Sequence, residues 1–252
     1  KKLQTEYGKY IKLVHLIGGQ LSALNRCNGK WNSRHDHRDL AKKWERTANR
    51  SGMSCDGDIW LESPISTPYA AAIAIKAAEF QGKTARVRFL RKLRGFLSLH
   101  KHDITKTDVL LECGKLANLD LAEFENDLHS DRAVRAFQCD IKISLEMEVN
   151  KCPTLVFFND NVEEAGIKVT DSYPYDIYVD VMTEISTKKL IPSPPPPFEE
   201  FLEKHQFVAT EEIAVVYDMT YEDVELEMKK LALMQTVERV PVKYGTFWRY
   251  IK

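Results

Sequence analysis

The stretch that decides the fold is Lys151-Cys152-Pro153-Thr154-Leu155-Val156-Phe157-Phe158. A proline introduces a short, wholly apolar run, an order that reads as the entry to a buried strand. Proline has no N–H to give to a ladder, so it belongs at the first position of a strand. Downstream, Asn159-Asp160-Asn161 reads as a turn and Gly166-Ile167-Lys168-Val169 as a second strand. Upstream, Ile11-Lys12-Leu13-Val14-His15-Leu16-Ile17 is another β-rich run, closed by Gly18-Gly19. Lys1 to Tyr10 reads as the end of an amphipathic helix with Gly8 near its stop. A helix feeding a strand this early implies a start in the middle of a βαβ unit.

Between these strands the chain reads as helical, from about Leu21 to Val149. Thr67 is the expected N-cap, with Pro68 at the first helical position and Gly82 at the stop of the helix from Tyr69 to Gln81. Further helices are expected over residues 34–49, 86–99, 107–117, 121–128 and 131–148. In the fourth of these, Leu121, Phe124 and Leu128 recur at helical spacing. Tyr173 to Ser186 reads as a closing helix. Next, Ile191-Pro192-Ser193-Pro194-Pro195-Pro196-Pro197 marks a boundary, because consecutive prolines favour a stiff polyproline II spacer. Beyond it, Phe198–His205 is helical, Thr210 is expected to cap Glu211–Tyr217, and Asp218-Met219-Thr220 turns into Tyr221–Met234. Gln235–Val242 and Gly245–Ile251 read as two strands. Helix, short turn, helix and hairpin is the outline of a winged helix.

At 252 residues the chain is long enough for one large domain or two. A hydrophobic content of 44% with 29% charged residues places it among ordinary globular proteins. The net charge of −1 gives no drive toward nucleic acid or an anionic membrane. The strongest apolar stretch, Tyr69 to Ile75, stops at Lys76 and is too short to cross a bilayer. No signal-peptide core is visible in the first residues. Cys27, Cys55, Cys113, Cys139 and Cys152 are odd in number and widely scattered. That pattern reads as reduced thiols of a cytoplasmic protein, not as a disulfide framework.

The order Cys-Pro-Thr followed by an aromatic-ended strand resembles the loop before the fourth strand of thioredoxin-fold proteins. There the X-Pro bond is cis and faces a Cys-x-x-Cys motif, which this sequence nowhere contains. Ile65-Ser66-Thr67-Pro68, Lys76-Ala77-Ala78-Glu79-Phe80-Gln81-Gly82, Asp103-Ile104 and Leu121-Ala122-Glu123-Phe124-Glu125-Asn126-Asp127-Leu128 resemble the helical insertion of DsbA-like proteins. Gly166-Ile167-Lys168-Val169 and Tyr173-Pro174-Tyr175 continue the likeness, and the appended segment ending Phe247-Trp248 narrows it to one branch. Over nearly its whole length the chain resembles the Spx-adaptor family, YjbH/SpxH, of Gram-positive bacteria.

The resemblance implies an α/β fold: a DsbA-like thioredoxin fold with a large helical insertion, plus a small C-terminal winged-helix-like domain. The expected boundaries are 1–190 for the first domain (insertion about 21–149), 191–197 for the Pro-rich linker and 198–252 for the second. The implied activity is that of a cytoplasmic, non-enzymatic adaptor that binds the transcription factor Spx and promotes its degradation by the ClpXP protease. The family's first strand, with the Cys-x-x-Cys that many members carry, lies upstream of Lys1, so no redox residue is carried over. In thioredoxin-like topology that strand sits between Ile11–Ile17 and Leu155–Phe158. The two runs are therefore expected to flank one vacant position, filled by a separate N-terminal fragment or another chain.

No catalytic, cofactor or metal site is expected. Cys152, Pro153 and Thr154 are partner-binding candidates. Cys152 is open to two readings, an oxidation-sensing thiol or a small buried residue at a strand entry. His35-Asp36-His37 and His100-Lys101-His102 sit among cations and lack the four convergent ligands of a zinc site. Lys83, Arg86, Arg88, Arg91, Lys92 and Arg94 form a basic run, either one solvated helix face or a surface for an acidic partner. Arg91, Lys92 and Arg94 are the contact candidates within it. From Pro197 onward seven Lys/Arg stand against eleven Asp/Glu, a net of −4, which disfavours DNA for the second domain. A thiol-disulfide oxidoreductase completed by an upstream Cys-x-x-Cys is the alternative, and a DNA-binding regulator the third reading.

Overall fold

The computed structural model describes residues 1–18, 34–65, 69–161 and 163–252, without the side chains of 34–36. The chain divides into two compact units, Leu16–Asn150 and Lys1–His15 together with Lys151–Lys252. The expected features at Gly19, Cys27, Thr67 and Pro68 lie outside the described residues.

The chain opens with α1 (Lys2–Tyr7), which stops at Gly8. In the unit Leu16–Asn150 there follow α2 (Arg34–Ser51), α3 (Ile59–Glu62), α4 (Tyr69–Phe80), α5 (Lys83–Ser98), α6 (Thr107–Leu116), α7 (Leu121–Leu128) and α8 (Asp131–Glu146). Side-chain caps fix where two of them start. Asp120 accepts from Glu123 N at 3.0 Å to open α7, and Ser130 accepts from Ala133 N at 3.2 Å to open α8. The alanines of α4 permit close helix packing: Ala71, Ala74, Ala77 and Ala78 are buried in one cluster with Phe89, Leu93, Phe96, Leu110 and Phe124. Phe89 and Phe124 meet with ring centroids 5.1 Å apart. A Cβ at Gly114 would stand 3.0 Å from the Phe124 ring, so any larger residue would press the ring aside.

This core also holds charge. Lys76 Nζ donates to both oxygens of Asp140, at 3.0 and 3.2 Å, and both side chains are buried. Asp140 Oδ2 accepts a further bond from Ile17 N at 3.0 Å. Arg86, 6% exposed, pairs with Glu79 at 3.0 Å. A buried pair of this kind is costly to break from one side, because the partner is left charged in a dry site.

The second unit carries two sheets. β1 (Thr154–Phe157) and β2 (Ile167–Thr170) form an antiparallel pair with Thr154 opposite Thr170 and Phe157 opposite Ile167. α9 (Tyr175–Ile185) follows. After the proline segment come α10 (Phe198–His205), β3 (Phe207–Ala209), α11 (Thr210–Tyr217), α12 (Tyr221–Leu233), β4 (Val237–Pro241) and β5 (Thr246–Tyr250). The second sheet has the order β3-β5-β4 and is antiparallel throughout. Trp248, Phe247, Val208 and Val237 are buried, and Phe201, Ile213, Val224 and Met228 close over them from the helices. Thr220 opens α12 by accepting from Asp223 N at 3.1 Å.

Several expectations need correction. Ile11–Ile17 is not a strand: it belongs to no ladder among the described residues. A β-rich sequence becomes a strand only when a neighbour takes up its backbone groups. Thr210 is the first residue of α11, not its cap. Its hydroxyl is buried, accepting from Trp248 Nε1 at 2.9 Å and donating to Glu225 Oε1 at 2.9 Å. The capping contact comes instead from Glu212, whose carboxylate accepts from Ala209 N at 3.0 Å. α3 and β3 were absent from the pattern read in the sequence.

The proline segment is held along its length. Ser193 N donates to the Glu6 carbonyl at 2.8 Å, Ile191 N to Tyr10 Oη at 3.4 Å, and Tyr217 Oη to the Pro196 carbonyl at 2.7 Å. α1 and the Lys1 before it contribute further ties: Lys1 Nζ to Glu212 at 2.9 Å, Lys2 to Asp218, and Glu6 accepting from the Tyr175 hydroxyl.

Candidate functional site

The strand entry singled out in the sequence forms a turn at the head of β1. The Cys152–Pro153 peptide bond is cis. The Pro153 carbonyl accepts from Asp171 N at 2.9 Å, extending the β1–β2 pairing by one bond beyond the ladder. Thr154 Oγ1 donates to the Lys151 carbonyl at 2.7 Å, closing the turn from the other side. Thr154 is half-buried, whereas Cys152 and Pro153 are exposed. The reading of Cys152 as a small buried residue is therefore wrong.

Around this loop the surface is apolar as well as polar. Tyr173, 52% exposed, follows the Asp171 that binds Pro153, and Ile177 lies on the first turn of α9. Among the described residues β1 has a neighbouring strand on one side only, and all four of its residues are half-buried. The site thus offers an exposed Cys-Pro, two exposed apolar side chains and a row of backbone groups not used in its own sheet.

None of the described cysteines Cys55, Cys113, Cys139 and Cys152 is in a disulfide. Burial pushes the Cys113 thiol up to about 12, against which the nearby Lys92 acts weakly; its sulfur lies 3.7 Å from the Phe89 carbonyl. Burial also raises the Cys55 thiol. Neither is a thiolate near neutral pH, so neither is a nucleophile.

The basic run divides. Arg86 is inside, against Glu79, and Arg88 spans to the end of α6, donating to the carbonyls of Ala117 at 2.8 Å and Asn118 at 3.3 Å. The reading of one uniformly solvated face fails for Arg86, which is buried, while Arg88 stays exposed. Arg91 and Lys92 are half-buried and Arg94 is exposed. His100 and His102 flank the Phe96 ring, at 6.2 and 5.0 Å between centroids, as packing groups in the turn after α5. His37 is half-buried; the side chain of His35 lies outside the described residues.

Sequence reading missed one cluster. Glu45 of α2 and Asp56 and Asp58 of the following loop bring carboxylate oxygens within 4.8 Å of one another. Glu45 accepts from Gly57 N at 3.2 Å and Asp56 from Asp58 N at 3.0 Å. The Lys101 ammonium is close enough to be raised by its hydrogen bond to Glu62 and then by Asp56 and Asp58. Backbone amides and a lysine thus already answer these charges. No spacing rule links positions so far apart in sequence. Among the described residues no helix is long and apolar enough to cross a membrane.

A family described as Thioredoxin matches residues 1–180. The chain is 49% identical over 252 residues to the ClpXP adapter protein SpxH of Halalkalibacterium halodurans, covering 100% of this chain and 82% of that one. It is 47% identical over 251 residues to the protein of that name from Bacillus subtilis (strain 168), covering 99% and 82%. Against that of Shouchella clausii it is 44% identical over 252 residues, covering 100% and 82%. The chain, thioredoxin-like over residues 1–180, belongs to the family of ClpXP adapter proteins SpxH.

Proposed function

We propose that this chain is a cytoplasmic, non-enzymatic adaptor that binds Spx and promotes its degradation by ClpXP. The observation that carries this is similarity along the full chain to proteins named ClpXP adapter protein SpxH. The exposed cis-proline loop supports it. In this reading the loop is part of a thioredoxin-like surface for holding a polypeptide. Thiol-disulfide exchange needs an attacking thiolate and a resolving thiol.

In this reading residues 1–190 are a DsbA-like domain with its helical insertion, 191–197 a Pro-rich connection and 198–252 a winged-helix-like domain. β1 awaits a strand on its open side, supplied by a separate N-terminal fragment or another chain. Its half-buried residues fit a strand that is central in the complete sheet. Cys152, Pro153 and Thr154, with Arg91, Lys92 and Arg94, are contact residues for Spx, in an interface of about 1,600 Å². Binding accelerates degradation only if the adaptor prefers the conformation of Spx that the protease accepts, since a ligand shifts an equilibrium only by its differential affinity.

The test is reconstituted ClpXP proteolysis of Spx with and without the full-length protein. Faster loss of Spx is expected; unchanged degradation together with no Spx binding by calorimetry ends the reading. Insulin reduction abolished by Cys152→Ser would instead establish the oxidoreductase alternative.

A further inference from the structure

We propose that the outward face of α12 docks a second copy of this chain, the two helices running antiparallel about a two-fold axis at Leu226. A helix turns about 100° per residue, which places Glu222, Asp223, Lys229, Lys230 and Leu233 within about 60° of the direction of Leu226. All six of these residues are exposed. Val224, Met228 and Leu231 point the other way and are buried against Phe201, Ile213 and Trp248. The inner side of the helix is thus satisfied within the chain. The outer side is not merely polar: Leu226 is 55% exposed, and Leu233, at 86%, is the most exposed large hydrophobic side chain among the described residues.

The charges on this face are sorted along it. Both acids precede Leu226 by about one turn, and both lysines follow it by about one turn. That order suits the dipole of the helix, which accounts for the charges but not for the leucines. It also complements itself when reversed. With two copies antiparallel and Leu226 meeting its own counterpart on the axis, Glu222 lies on the same side of the seam as Lys229 of the second copy, and Asp223 on the same side as Lys230. Each pair is offset by only about 1.5 Å along the axis, and the symmetry repeats both. Leu233, two turns on, reaches the start of the opposing helix. Lys230 rests on Glu227 at 2.6 Å and Asp223 accepts from the Thr220 hydroxyl at 2.7 Å, contacts on the surface of the same helix that leave both charged groups exposed.

This self-complementarity selects the occupant. An interface about a two-fold axis uses one patch twice, so each feature of the patch must find its complement within the same patch. A parallel copy would set acid against acid and lysine against lysine. A phosphate backbone would be repelled by Glu222 and Asp223. Exposed ion pairs fix orientation more than strength, so the leucines supply most of the attraction. One helix face covers less than the roughly 1,200–2,000 Å² of stable interfaces, which makes the dimer weak and dependent on concentration. The face lies on α12 and leaves the cis-proline loop out of the contact, so the association is independent of the adaptor reading.

Sedimentation velocity of the full chain over a wide range of concentration tests this. A reversible monomer–dimer equilibrium is expected, and Leu226→Glu, which brings two carboxylates together on the axis, should weaken it at least about 10-fold. Glu222→Lys/Asp223→Lys makes the face wholly basic, and Lys229→Glu/Lys230→Glu makes it wholly acidic. Each variant alone should be monomeric, whereas an equimolar mixture should dimerise at least as well as the parent. Thermal melts check that each is folded; should the double reversals unfold, Glu222→Lys and Lys229→Glu repeat the test through one pair. A parent that stays monomeric at every concentration refutes the proposal. So does a dimer that Leu226→Glu leaves intact, which would place the contact elsewhere. Failure of the mixture to dimerise, with both variants folded, overturns the antiparallel pairing. Loss of Spx binding in Leu226→Glu with a monomeric parent would assign the face to Spx instead.

Discussion

β1 and β5 are both short antiparallel strands of the same compact unit, but among the described residues β5 has a neighbour on each side and β1 has one. β5 buries Thr246, Phe247 and Trp248, the last at 0% exposure, whereas no residue of β1 is buried. In the β1–β2 hairpin Val169 alone is buried. A two-stranded pair is marginal in water by itself, and three strands under a helical layer are not. The three-stranded sheet therefore maintains itself, and the hairpin depends on what is laid against it. A surface of the second kind suits a protein whose work is to hold another.

The hardest test of that contrast is Trp248→Ala. Removing the largest buried side chain of the second sheet is expected to cost about 3–5 kcal/mol, read as a lower urea midpoint. A cost below about 1 kcal/mol would show that the sheet does not close around this ring. Thr210→Val probes the same place more gently. It leaves the buried indole N–H of Trp248 without its acceptor, with an expected loss of about 1–3 kcal/mol by the same measurement. In β1, Val156→Ala is expected to cost no more than about 1 kcal/mol in this chain, because the residue is only half-buried. A loss equal to that of Trp248→Ala would erase the difference between the sheets. Hydrogen exchange sharpens it without mutation: amides of β5 should be protected well beyond those of β1.

A separate effect is expected on pH. His205 packs on Phe201 at 4.4 Å between centroids, and burial, aided by the cations Lys1 and Lys204, lowers its pKa to about 4. Unfolded, the ring takes a proton near pH 6.5; folded, it refuses one until about pH 4. The unfolded state thus binds more protons between these values, and stability should fall as pH drops through this window. His205→Gln should flatten the fall in melting temperature between pH 6.5 and 4.5; an unchanged slope would assign it to other groups.

Local rules carried part of the structure into view. The helices α6 to α8 and α10 follow from apolar spacing and from stops that a sequence displays, and the two strands β4 and β5 follow from runs of β-forming residues. What stayed hidden depends on partners distant in the chain. β3 has three residues and exists because Val208 pairs with Trp248. Thr210 looks like a helix cap until the indole N–H 38 positions later claims its hydroxyl. Arg86 looks like part of a solvated face until Glu79, on the preceding helix, draws it inward. Ile11–Ile17 is the converse case, a strand sequence that belongs to no sheet among the described residues. At the candidate site, the cis-proline loop was legible through the resemblance of Cys-Pro-Thr and its aromatic-ended strand to thioredoxin-fold proteins; the outward turn of Cys152 was not.

The bonds from Glu6, Tyr10 and Tyr217 to the backbone of residues 191, 193 and 196 have a hydrodynamic meaning. Consecutive prolines fix the local path of a chain but leave its ends free to swing, whereas a segment tied at three points cannot pivot. The part after the prolines should then share one rotational correlation time with β1, β2 and α9, instead of reorienting faster on a leash. A partner that touches both parts meets them already in register. The orientational entropy that a tethered module surrenders on engagement has, in this molecule, been surrendered during folding.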